Sequence, residues 1–172
     1  GSSMLAALTL MEIGDGERTL WLYDTFQGMN APTEKDVSIA GYSAQEDWSR
    51  LRNDREDPVL AFATLADVQA NVTSTAFDPA RVRYVKGTVE TTIPGEAPER
   101  IALLRLDTDW YESTKHELEH LWDRLQPGGV LIIDDYGHWV GAREAVDEFF
   151  DGRADAPLLT RLDYTGRIGV KR

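Results

Sequence analysis

No cysteine occurs in the 172 residues, so neither a disulfide framework nor a thiol nucleophile exists. That is compatible with the cytosol, where the chain is expected to reside. Cationic side chains are scarce. Eighteen Lys and Arg stand against thirty Asp and Glu, giving a net charge of −12 and a pI near 4.6. Nucleic acid and anionic membrane both need a basic footprint, so neither is expected as a partner; a few local groups still suffice to hold an anionic ligand. No stretch approaches the roughly 18 apolar residues of a membrane span, and no signal-peptide pattern is visible at the start. There is no GxSxG elbow, no Walker A loop, no internal repeat and no low-complexity tract. What remains is ordinary for a globular chain, with 42% hydrophobic and 28% charged residues. Its length suits a single domain over 1–172 with a sizeable core.

Two acidic clusters stand where apolar runs end. Residues 101–106 read IALLRL and stop at Asp107-Thr108-Asp109; residues 130–133 read VLII and stop at Asp134-Asp135. Such runs suit buried strands of a parallel sheet, and ligands of open α/β sheets bind beyond the carboxyl ends of the strands. If the two strands are neighbours, Asp107, Asp134 and Asp135 converge. Three adjacent carboxylates repel unless a cation neutralises them, and all-oxygen ligation suits Mg²⁺, Mn²⁺ or Ca²⁺. Helix capping explains one Asp per strand end, not four in two clusters.

Around these runs the pattern alternates. Residues 4–13 predict a helix ending at Gly14, and 19–23 (TLWLY) a buried strand ending at Asp24. From 27 to about 58 the chain turns polar, the length of a lid rather than a linker, and carries Tyr42 and Trp48 as candidate substrate contacts. A helix over 60–72, a strand over 81–86, a helix over 113–125 with Ser113 as its cap, a turn at Pro127-Gly128-Gly129 and a helix over 142–150 follow. Residues 158–162 and 167–171 predict closing strands joined at 164–166. The fold class is α/β, mostly parallel with an antiparallel last strand.

Several single residues admit two readings. Asp24, at a strand's carboxyl end, either holds ribose hydroxyls of a nucleotide-like cofactor or is a cap or a simply solvated acid. Gly87, in Lys86-Gly87-Thr88, lets backbone approach a flat ring or simply ends the strand. His116-Glu117-Leu118-Glu119-His120 fits HExxH literally, but the helix buries Leu118, Leu121, Trp122 and Leu125, which makes the two histidines boundary residues. His138, three residues past the acidic pair, touches substrate, supports a metal-bound carboxylate, or is an ordinary loop histidine.

The stretches LYDTFQGM (22–29), VKGTVETTIP (85–94), LLRLDTDWYEST (103–114), LQPGGVLIIDDYG (125–137) and DYTGRIGVK (163–171) together resemble the macrocin O-methyltransferase family. The resemblance runs in order over nearly the whole chain. It implies a class I, Rossmann-like methyltransferase sheet, S-adenosylmethionine and Mg²⁺ as cofactors, and a sugar hydroxyl of a glycosylated small-molecule natural product as acceptor. By position it implies Asp107, Asp134 and Asp135 as metal ligands and Asp107 as general base. Asp24 would hold the cofactor ribose, and Gly87, Thr88 and Val89 would border the adenine. The family's glycine-rich cofactor loop belongs just before the first helix here, with Gly1-Ser2 resembling its end and Ser2 a cofactor contact. The first, central strand is then missing from this chain, which exposes backbone groups and predicts a homo-oligomer, a direct joining of 19–23 to 101–106, or folding only together with upstream residues. Two alternatives remain: a metal-dependent nucleotide-sugar glycosyltransferase using Asp107-Thr108-Asp109 as its DxD, and an inactive truncated remnant.

Overall fold

The computed structural model describes residues 1–51 and 62–172. In chain order the elements are α1 (Ser2–Glu12), β1 (Leu20–Asp24), α2 (Ala44–Leu51), α3 (Leu65–Thr73), β2 (Val82–Lys86) and α4 (Val89–Thr92). There follow β3 (Ile101–Leu106), α5 (Tyr111–Leu121), β4 (Leu125–Ile133), α6 (Val140–Phe150), β5 (Thr160–Arg161) and β6 (Arg167–Val170). They form two compact units, Gly1–Asn30 with Asn53–Thr88, and Ala31–Arg52 with Val89–Arg172. No helix among the described residues is long and apolar enough to cross a membrane.

In the first unit β1 and β2 pair in parallel, from Leu20 opposite Val82 to Asp24 opposite Lys86. Ala7 of α1, Val72 of α3, Phe77 and Val82 form its core, with Leu10, Leu20, Leu22 and Val68 against them. The helix expected over 60–72 starts later, and its predicted first residues, 60 and 61, lie outside the described residues. A capping box sets the start at Leu65: Thr64 Oγ1 accepts from Asp67 N, and Asp67 Oδ2 accepts from Thr64 N.

The second unit holds a sheet in the order β3-β4-β6-β5. β3 and β4 are parallel, while β6 runs antiparallel to both β4 and β5, the antiparallel finish that the closing runs predict. β1 and β3 belong to different sheets. Leu106, Leu118, Trp122, Leu125, Leu131, Ile133 and Val146 are fully buried, each aliphatic side chain worth roughly 1.5–3 kcal/mol against exposure. Pro127-Gly128-Gly129 is not a free turn. It lies inside β4, where the register with β3 shifts, and Gly128 N donates to Lys171 O while Lys171 N donates to Gly129 O. The strand expected over 158–162 shrinks to Thr160–Arg161; Pro157 and Leu159 lie against Gly169, where a Cβ would come within 2.9 Å of Pro157.

Ser113 is not the cap of α5. The helix begins at Tyr111, and Tyr111 N donates to Asp36 Oδ1 at 2.8 Å, so a carboxylate distant in sequence does the capping. Ser113 sits inside the helix, buried, and donates to Glu90 Oε1. Asp36 belongs to the polar segment 27–58, whose residues 52–58 lie outside the described residues. Its described part is no bare loop. It contains α2; Asp36 is fully buried and also accepts from Thr33 N and Thr33 Oγ1; and Ile39 N donates to His138 O while Val140 N donates to Val37 O. Gly141 makes this docking sterically possible, since a Cβ there would lie 2.6 Å from Asp36 Oδ1 and 3.0 Å from Lys35 O. Gly141→Ala is therefore expected to lower stability by about 1–3 kcal/mol, read as a fall of several degrees in Tm. An unchanged Tm would show that the segment is not held there.

Candidate metal and cofactor site

Leu106 and Ile133 are register partners at the ends of parallel strands, so the next residues, Asp107 and Asp134, leave the sheet side by side. A backbone bond from Asp134 N to Leu106 O, 2.9 Å, fixes that level. The structure thus brings Asp107, Asp134 and Asp135 together: one carboxylate oxygen from each lies within 4.8 Å of the others. Among the described residues no other cluster of three His, Asp or Glu is so placed. Arg105 holds two of the three, with Nη1 bonded to Asp107 Oδ2 and Nη2 to Asp134 Oδ1 at 2.9 Å. Asp109, at φ +64, accepts from Trp139 Nε1 at 3.0 Å.

Crowding shows in the proton affinities. Burial, then the Asp134 carboxyl beside it, raises Asp107 to about 7 against the opposing pull of Arg105. Burial raises Asp135 to about 9, with the charges of Asp109, Asp107 and Asp134 adding to it. Burial also raises Asp109. The Asp107 side chain is 45% exposed, so water tempers its share. Such a set of hard oxygen donors that suffer when ionised together suits a divalent cation such as Mg²⁺ or Mn²⁺.

The HExxH pattern makes no metal site. His116 Nε2 lies 2.9 Å from Ile93 O and His120 Nδ1 2.8 Å from His116 O, so each ring spends a nitrogen on backbone. Glu117 between them is buried and accepts from Thr108 Oγ1 at 2.9 Å. Burial raises its pKa to about 8. His138 sits on the loop after Asp135, with its N–H donating to Asp135 O and its Nδ1 3.3 Å from the Tyr164 hydroxyl. Gly137 lets the hairpin turn carrying Tyr164 approach, because a Cβ there would strike Tyr164 O at 2.1 Å. Tyr42 is 72% exposed and Trp48 half-buried on α2.

In the first unit Asp24 and Gly87 are neighbours at the ends of β1 and β2, joined by Gly87 N to Asp24 O at 3.0 Å. Asp24 is exposed, and its Oδ1 accepts from Phe26 N at 2.7 Å, so it also stabilises its own turn. Gly87 has φ +146, a conformation that favours glycine. Thr88 is half-buried, Val89 is buried at the start of α4, and Ser2 is exposed in the first turn of α1.

Arg105, Asp36, Glu117 and Trp139 were not among the residues expected from sequence. Only Arg105 carried a local signal: a lone cation in an apolar strand, two residues before Asp107 and hence on its face.

The family model of the macrocin-O-methyltransferases (TylF) matches residues 1–168. The chain is 34% identical over 166 residues to the 8-demethyl-8-(2,3-dimethoxy-alpha-L-rhamnosyl)-tetracenomycin-C 4'-O-methyltransferase of Streptomyces olivaceus, covering 96% of this chain and 60% of that protein. It is 33% identical over 150 residues to the mycinamicin III 3''-O-methyltransferase of Micromonospora griseorubida, covering 87% and 56%. Of solved structures, that of the O-methyltransferase NovP superposes with a TM-score of 0.80 at 27% identity, over 98% of this chain and 66% of that one. The chain therefore spans 60% or less of the length of these two curated relatives, and its α/β architecture is that of the class I methyltransferases. It belongs to the macrocin O-methyltransferase family.

Proposed function

We propose that the protein is an S-adenosylmethionine- and Mg²⁺-dependent O-methyltransferase acting on a sugar hydroxyl of a glycosylated natural product. The observation that carries the reading is the trio of carboxylates at two adjacent strand ends in a chain whose relatives are named as natural-product O-methyltransferases, one of them for a rhamnosyl-bearing tetracenomycin. Asp107, Asp134 and Asp135 would hold the cation, whose chemistry is to lower the pKa of a hydroxyl bound to it. S-Adenosylmethionine supplies a methyl group already electrophilic at its sulfonium. Asp107 would take the proton of the acceptor hydroxyl as general base. Arg105 keeps Asp107 and Asp134 oriented. His138, Tyr42 and Trp48 contact the acceptor. Asp24 would hold the cofactor ribose, Gly87, Thr88 and Val89 would border the adenine, and Ser2 would serve the methionine end.

Calorimetry tests this against the glycosyltransferase alternative. S-Adenosylhomocysteine is expected to give saturable heat and UDP with Mn²⁺ none. Asp24→Asn, which keeps the acceptor for Phe26 N, is expected to weaken the former by about 10-fold, the loss of one charge-assisted hydrogen bond. Saturable UDP binding without S-adenosylhomocysteine binding would reverse the assignment.

A further inference from the structure

Thr108 lies between Asp107, one of the three clustered carboxylates, and Asp109, whose Oδ1 accepts from Trp139 Nε1 at 3.0 Å. Its own hydroxyl is committed elsewhere, donating to Glu117 Oε2 at 2.9 Å. The turn is tight: Trp110 N donates to Thr108 O at 2.7 Å, and Asp109 adopts a left-handed backbone. Glu117 is 6% exposed on α5, a helix pinned at its start by Asp36. A hydroxyl tied to a rigid helix fixes which way its two neighbours point. Burying a carboxyl is costly, and packing alone does not call for one here.

We propose that Glu117 is the positioning residue of the acidic turn, orienting Asp107 and Asp109 through Thr108 and so setting divalent-cation affinity without touching the cation. The inference rests on the cation-binding reading above. Its protonated form at neutral pH spares the cluster a further negative charge.

Mn²⁺ titration of the 172-residue chain, followed by calorimetry and by the Mn²⁺ electron paramagnetic resonance spectrum, tests it. Glu117→Leu and Thr108→Val are each expected to weaken Mn²⁺ about 10-fold, as loss of outer partners of metal ligands does, and to broaden the spectrum. The double variant should be no weaker than either single one, within about twofold. Glu117→Gln, which keeps the acceptor, should restore wild-type affinity. If Glu117→Leu does not fold, Thr108→Val and Glu117→Gln decide. Folded variants that bind like wild type, additive losses, or a Gln variant as weak as the Leu variant would overturn the inference. A wild-type chain that takes up no Mn²⁺ would instead overturn the cation reading itself.

Discussion

Asp134→Asn is expected to weaken divalent-cation binding by at least about 100-fold, more than loss of an outer partner costs, while the metal-free protein unfolds at the same temperature or slightly above. The two effects have one cause. Asp134 supplies a ligand oxygen, and its charge opposes ionisation of both Asp107 and Asp135. Asparagine removes the charge but keeps an oxygen for Arg105 Nη2, now 2.9 Å from Asp134 Oδ1. The ion pair forfeited is 28% and 40% exposed at its two side chains and contributes little. A gain of about 2–4 °C corresponds to roughly 1 kcal/mol for a chain of this size. A merely structural acid behaves oppositely: its loss lowers Tm and leaves cation binding intact. Mn²⁺ titration alongside thermal unfolding separates the two.

Stability of the metal-free protein is expected to fall as pH rises from about 5 to 9. Asp107, Glu117 and Asp135 have folded-state values of about 7, 8 and 9, whereas unfolded carboxyls titrate near 4. Between those limits the folded state binds more protons than the unfolded one, so the derivative of unfolding free energy with pH is negative. Their contribution is whole below pH about 4 and is lost progressively as pH passes through each folded value. Each fully protonated group sets a slope of at most about 1.4 kcal/mol per pH unit, trimmed at Asp107 by its exposure. Saturating Mg²⁺ requires the ionised cluster and should flatten the descent. Glu117→Gln should flatten it without metal. A Tm rising from pH 6 to 9 in EDTA would contradict the assignment.

The strand ends and their acids were legible because both signals are local: an apolar run of strand length, then Asp at once. Adjacency of the two strands was an inference from topology, and the pairing of Leu106 with Ile133 bears it out. The start of α5 was not legible. Ser113 has the chemistry of a cap, but Asp36 satisfies Tyr111 N from 75 positions away, and no window of sequence carries such a contact. The same docking places a fully buried carboxylate within the segment whose length suits a lid. Glu117 was hidden by the histidines on either side of it. The HExxH spacing drew attention to rings that bond backbone, while the glutamate pointed inward to Thr108.

The most direct test of the central claim is the position of Mn²⁺ in crystals of this chain, read from its anomalous scattering. The account predicts one strong peak within about 2.0–2.6 Å of carboxylate oxygens of Asp107, Asp134 and Asp135, absent in Asp134→Asn. A saturated crystal with no peak there, or with its peak at His116 and His120, would contradict it.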